Sequence, residues 1–278
     1  MGVMTGLLGA LGYLFLGGWA GVILFLVIAG AFNIFAYWKS DSLALRMAHA
    51  HEVTPEQEPR LHRIVDEVTS LTSLPKPKVY VVDNPSPNAF ATGRNPKHAV
   101  VAATTGIMSL LDDRELRGVI AHELGHVGNR DILIGAIVAV FAGAIAMIAN
   151  VMQFRLIFGG FGGNRDGGGN PLLALVAIIL MPIAATIIQL SISRTREYEA
   201  DRTGAKTTHD PDALADALEK LERGAMQRPM QVNPATAQMY IVNPLAGLRG
   251  ANFSNLFSTH PPIEERIARL RKMGRTGY

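Results

Sequence analysis

Three stretches of this chain contain no Lys, Arg, Asp or Glu, and they restrict its possible folds more than any other feature: residues 1–38, 132–154 and 171–193. The last two have 23 residues each. At about 1.5 Å per helical residue, that is enough to cross a hydrocarbon layer of about 30 Å. A buried helix in a soluble domain is the competing explanation, but Pro182 inside the third run would be costly there and is better tolerated in a membrane. The first run is too long for one span and is interrupted by Gly-Gly-Trp-Ala-Gly at 17–21, so a hydrophobic hairpin is expected over 1–38. Its second arm, Val22 to Trp38, closes with Tyr37 and Trp38, which suit a membrane interface. A cleaved signal peptide is disfavoured because no Lys or Arg precedes the apolar core.

The pentapeptide His-Glu-Leu-Gly-His occupies residues 122–126, just before the second run. In a helix, residues four apart share a face, so His122 and His126 can present two imidazole nitrogens to one tetrahedral metal ion. Glu123 lies beside that ion without having to bind it, positioned to take a proton from an activated water and return it to a leaving amine. The preceding residues favour a helix. Asp112 and Asp113 suit its N-terminus, and Leu116, Val119 and Ile120 recur at helical intervals.

A catalytic zinc takes three protein ligands and keeps one position open. The chain has no cysteine, so the third ligand must come from His, Asp or Glu. The strongest candidate segment is SRTREYEADR at 193–202, directly after the third apolar run. Glu197 and Glu199 point in opposite directions around a helix, whereas Glu197 shares its face with Asp201. Glu197 is therefore the expected third ligand, and Asp201 a carboxylate able to orient a ligand imidazole through its other ring nitrogen. The alternative is that these acids only balance Arg194, Arg196 and Arg202 at a membrane boundary. Mixed imidazole and carboxylate ligands suit one Zn2+ per chain best, with manganese or iron as substitutes.

Sharing one ion requires His122 and Glu197 to emerge on the same side of a membrane, and two intervening spans satisfy this. Lys39, Arg46, Arg130, Arg194 and Arg196 gather at that side, against Arg155 and Arg165 opposite, which favours a cytoplasmic site. A net charge of +3 and 49% hydrophobic residues fit residence at a membrane and give no sign of a nucleic-acid patch. The absence of cysteine excludes disulfides and agrees with a reducing compartment.

Between Lys39 and Arg130 a helix is expected with Pro55 near its start and Leu61, Ile64, Val65 and Val68 on one face. Strands are expected at 78–82 and 98–105, with Asn-Ala-Phe-Ala-Thr-Gly at 88–93 between them. Asn88, Ala89, Phe90, Ala91 and Thr92 are the candidate sheet edge onto which a peptide substrate could add as a strand. Residues 224–257, rich in Met, Asn, Pro and Gly, read as a mobile loop. Pro261 and Pro262 then open a helix with an apolar stripe of Ile263, Ile267 and Leu270. The histidines at 49, 51, 62, 98 and 209 lack ligand spacing and are assigned to solvated surface.

Taken together, the N-terminal run ending AYWKSD, NAFATG at 88–93, HELGHVGNRD at 122–131, REYEAD at 196–201 and STHPP at 258–262 resemble the HtpX family of membrane-bound zinc proteases. Those proteases are related to the CAAX prenyl endopeptidases. The resemblance covers nearly the whole chain. It implies a mainly α, polytopic membrane protein with a small β-sheet and a zincin-like (gluzincin) catalytic domain. The parts are a hairpin at 1–38, catalytic portions at 39–131 and 194–278, and a transmembrane pair at 132–193 with a Gly-rich loop at 155–170. It also implies zinc on His122, His126 and Glu197, with Glu123 as base and with His260 and Arg266 near the scissile carbonyl. The implied partners are the lipid bilayer and polypeptides, chiefly misfolded or damaged proteins of the cell membrane. A prenyl-peptide endopeptidase would have the same site. An intramembrane protease is disfavoured by the charges at 112–117 and 130–131. A zinc-bearing scaffold without catalysis would have no use for Glu123.

Overall fold

The structure, a computed structural model, describes residues 18–138, 194–227, 239–242 and 261–276. The spans expected at 132–154 and 171–193 lie outside these residues except for 132–138, which are helical. The Gly-rich loop, the first hairpin arm and most of 224–257 also lie outside.

Helix α1, Gly18–Met47, continues nine residues beyond Trp38, the expected end of the apolar arm. It bends by 42° between its segments Gly18–Phe32 and Ile34–Met47. Among the described residues no single helix is long and apolar enough to cross a membrane, although this bent pair passes by length and composition. Its C-terminal end packs through Leu45 and Ala48, while Trp19, Ile23, Leu24, Val27, Ile34, Phe35 and Trp38 are exposed.

Strand β1, Ala50–Glu52, follows and pairs antiparallel with β2, Lys78–Val82. β2 runs parallel to β4, Val100–Thr104, and β3, Ala89–Thr92, closes the order β1-β2-β4-β3 as an antiparallel edge strand. Helix α2, Pro59–Ser70, lies between β1 and β2. It begins at Pro59 rather than near Pro55, because Pro55 sits in a turn and Pro59 occupies the first helical turn, where a missing N–H is harmless. Leu61, Ile64, Val65 and Val68 are its buried face, as their spacing requires.

Strand β4 is shorter at both ends than the 98–105 expected. A 3-10 turn at Pro96–His98 precedes it, and the Thr104 hydroxyl ends it by capping helix α3, Thr105–Leu110. Helix α4, Asp113–Gly128, begins with a capping box in which Asp112 and Glu115 each bind the other's backbone N–H. Helices α5, Arg194–Thr208, α6, Pro211–Gln227, and α7, Ile263–Thr276, complete the described elements.

The protein is mainly helical with this small mixed sheet. One sheet face, with Val79, Val81, Ala91, Val101 and Ala103, joins a core with Leu61, Ile64, Leu116, Ile120, Leu214, Leu218 and Leu270. The other face, with Val82, Phe90, Val100 and Ala102, is covered by Leu45, Ala48 and Tyr240. His62 belongs to the interior and not to the surface: it is buried, with Nε2 2.9 Å from the Val53 carbonyl.

Candidate metal centre

Helix α4 turns its second half inward, so His122, Glu123 and Leu124 are all buried. Helix α5 crosses it closely because both carry a glycine at the contact. A Cβ on Gly204 would lie 2.8 Å from the His122 nitrogen, and one on Gly125 3.2 Å from the Ala200 carbonyl oxygen. With the backbones this near, side chains one turn apart on α5 reach the two imidazoles. Glu197 and Asp201 are buried on that face, and Glu199 is exposed on the other.

Glu197 Oε1 lies 3.4 Å from His126 Nε2, and its Oε2 lies 3.9 Å from His122 Nε2. One ligand atom from each of the three residues falls within 4.8 Å of the others. Both imidazoles have a carboxylate at the opposite nitrogen. Asp201 Oδ1 is 3.0 Å from His122 Nδ1, and Asp131 Oδ2 is 3.3 Å from His126 Nδ1. Carboxylates in these positions fix the rings and direct Nε2 toward a shared point.

Burial holds the pKa of His122 down to about 4 despite Asp201, so its ring is neutral and ready to donate a lone pair. At His126 burial acts in the same direction, but Glu197, the hydrogen bond to Asp131 and Glu123 outweigh it and raise the value to about 9. The surroundings thus favour a positive charge at that point, which a divalent cation also supplies. Two imidazoles, one carboxylate and no thiolate form a donor set that fits zinc.

Burial pushes Glu123 up to about 7, the range useful to a general base at neutral pH. The Ala91 backbone N–H, on edge strand β3, works against that rise. Within Asn88–Thr92 all five residues are buried. Arg266 is not a surface residue. It is fully buried and binds Asp201 through Nε at 2.8 Å and Nη2 at 2.6 Å, with Nη1 3.7 Å from Glu197 Oε2. At Asp201 burial opposes ionisation, but this guanidinium and His122 outweigh it and hold the carboxyl at about 2. His260 lies outside the described residues.

The family model for Peptidase family M48 matches residues 55–274, a range that includes every residue of this centre. The chain belongs to peptidase family M48.

Its M48 relatives include proteins named protease HtpX homolog. That of Pyrococcus furiosus is 53% identical over 274 residues, covering 98% of this chain and 93% of the relative. That of Desulforapulum autotrophicum is 49% identical over 272 residues, covering 98% and 87%. That of Burkholderia thailandensis is 51% identical over 267 residues, covering 94% and 90%. The crystal structure of S. mikatae Ste24p matches 97% of this chain and 62% of its own, with 18% identity and a TM-score of 0.49. Membership in a protease family makes polypeptides the substrate class.

Sequence reasoning about this M48 chain missed two features of the centre. Asp131 reaches His126 because Arg130 adopts a left-handed conformation, φ 62°, and reverses the chain directly after α4. Residues 239–242 lie against Asn88, Ala89 and Arg266 although they sit in a stretch that reads as loop. The signal for the first is an Asp five residues after the second His of the HELGH motif; no local pattern marks the second.

Proposed function

We propose that this protein is an integral-membrane zinc endopeptidase that hydrolyses peptide bonds in misfolded or damaged membrane proteins. The observation that carries the reading is the convergence of His122, His126 and Glu197 within 4.8 Å, with the carboxylate of Glu123 buried beside them. A zinc ion held by those three residues would supply Lewis acidity toward a water molecule and a peptide carbonyl.

The chain's own residues account for the remaining steps. Glu123 accepts the proton from the attacking water and passes it to the nitrogen of the leaving amine. Asp201 and Asp131 hold the two imidazoles in their binding tautomers. The β3 edge binds the substrate chiefly through its main chain, which suits a broad range of damaged proteins. Arg266 binds a substrate carbonyl, a role supported by its Nη1 donating to the carbonyl of Ile241 at 3.1 Å. His260 is assigned beside it from the family resemblance. The apolar side chains exposed along α1 support an anchor in the bilayer, and the basic residues around the site support a cytoplasmic orientation in the cell membrane.

The test is cleavage of an unfolded membrane protein by the detergent-purified chain and by Glu123→Gln. Loss of cleavage by at least a hundredfold with metal content unchanged is expected; equal cleavage by both forms would overturn the proposal. Faster cleavage of a farnesylated peptide than of the unfolded protein would favour the prenyl-peptide alternative.

A further inference from the structure

Tyr240–Val242 lie along the outer edge of β3 and occupy the main-chain binding groups found there. The Asn88 carbonyl accepts from the Thr104 N–H, so alternate residues from Asn88 face β4 while Ala89 and Ala91 turn their backbone groups outward. On that outer edge the Ile241 N–H donates to the Ala89 carbonyl at 3.0 Å. The Val242 N–H donates to Asn88 Oδ1 at 3.3 Å, and its carbonyl accepts from Asn88 Nδ2 at 2.8 Å. The Ile241 carbonyl accepts from Arg266 Nη1 at 3.1 Å. Every main-chain polar group of Ile241 and Val242 is therefore bound by a fixed, buried partner.

This is how an added peptide strand is recognised: through its backbone, by a sheet edge and by side chains that reach its peptide groups. The next outward group along β3 is the Ala91 N–H, and β3 packs against α4, the helix that carries Glu123. Arg266 Nη1, which holds the Ile241 carbonyl, is also 3.7 Å from Glu197. A polypeptide entering the centre along β3 meets Asn88, Ala89 and Arg266 already in use. Tyr240 anchors the segment by packing edge-on to Phe90, with ring centroids 5.1 Å apart. Its buried hydroxyl has no hydrogen-bond partner among the described residues, which weakens that anchor.

We propose that Tyr240–Val242 is an internal competitor that occupies the main-chain subsite of the substrate groove and leaves when a polypeptide binds. The proposal rests on the peptidase reading above. The ligand class for the vacated subsite is an extended peptide with two consecutive apolar residues, since Ile241 and Val242 both join the helix-side core.

The test uses the full chain in detergent carrying Glu123→Gln, so that bound peptide is not cut. The probe is a fluorescein-labelled, end-blocked Gln-Met-Tyr-Ile-Val-Asn, the sequence of residues 238–243. Adding Ile241→Pro removes the N–H that holds Ala89, and probe binding by anisotropy should tighten at least tenfold. A second measurement leaves the segment unaltered: saturating probe should speed hydrogen exchange at the Ile241 and Val242 amides at least tenfold. Equal, weaker or undetectable binding to Ile241→Pro, or exchange at those amides that is unchanged or slower, overturns the proposal. Cleavage by the chain with Glu123 intact is scored separately. Displacement without cleavage counts against the peptidase reading alone, and cleavage with the amides still protected counts against the competitor alone.

Discussion

The Nδ1 atom of His122 lies 3.0 Å from Oδ1 of Asp201, and that same carboxylate is gripped by the buried guanidinium of Arg266. An imidazole on α4, a carboxylate on α5 and an arginine on α7 thus form one chain of contacts across three helices. In a buried setting each member depends on the others, because an ionised group left without its partner is costly.

Asp201→Asn should show this directly. It keeps the shape but leaves the buried Arg266 charge only its longer contact with Glu197, at 3.7 Å, and destabilisation toward the lower end of about 3–5 kcal/mol is expected by chemical denaturation. Zinc affinity should fall about tenfold to a hundredfold in a metal titration, since the ring of His122 loses its orienting partner.

Asp131→Asn should separate the two effects. Asp131 is close to Arg196 at the edge of the centre, where Arg196 is partly exposed and can turn to solvent. Zinc affinity should again fall about tenfold or more, but denaturation should move far less than for Asp201→Asn.

Gly204→Ala tests the close helix crossing. The added Cβ would meet the His122 backbone at 2.8 Å and force α5 away from α4. Overpacking of this kind costs about 1–3 kcal/mol. Because Glu197 moves with α5, zinc affinity should drop as well. Unchanged affinity would mean that the crossing does not set the ligand distance.

A more exposed network offers a contrast. Arg114 binds Asp210 and Asp216, and Arg271 binds Asp212 and Asp216, joining α4, α6 and α7. Burial raises the Asp210 and Asp216 carboxyls, but Arg114 with the Ala213 N–H outweighs it at Asp210, and Arg271 with Arg114 outweighs it at Asp216, so their pKa values lie below the ordinary range. Groups with depressed values contribute stability above the unfolded pKa of about 4 and lose it as pH falls through the folded value. Stability measured from pH 6 to pH 2 should decline at the acid end, and Arg271→Gln should flatten that decline. At pH 7 the same change should cost no more than about 1 kcal/mol, less in high salt, and leave zinc affinity untouched.

Features that depend on helical spacing are legible in the sequence. The four-residue offset of His122 and His126, the one-turn offset of Glu197 and Asp201 and the Asp112 cap are local patterns. So is the apolar face of Leu61, Ile64, Val65 and Val68. Features that depend on chain reversal or distant contact could not be read. Asp131 needs the left-handed turn at Arg130. The burial of Arg266 needs Asp201, 65 residues away in sequence. The three-residue strand β1 is too short to show a period, and the ends of the strand at 100–104 are set by a proline turn and a threonine cap. Tyr240–Val242 pairs with residues about 150 positions earlier, inside a stretch whose Asn, Pro and Gly content reads as loop.

Metal stoichiometry shows whether α4 and α5 jointly hold one ion. The chain is purified in detergent, equilibrated with zinc, desalted and assayed by inductively coupled plasma mass spectrometry beside Glu197→Ala. About one zinc per unaltered chain is expected, and less than about a tenth of that in the variant, which would lack one of three ligands. Full retention of zinc by Glu197→Ala would contradict that joint site.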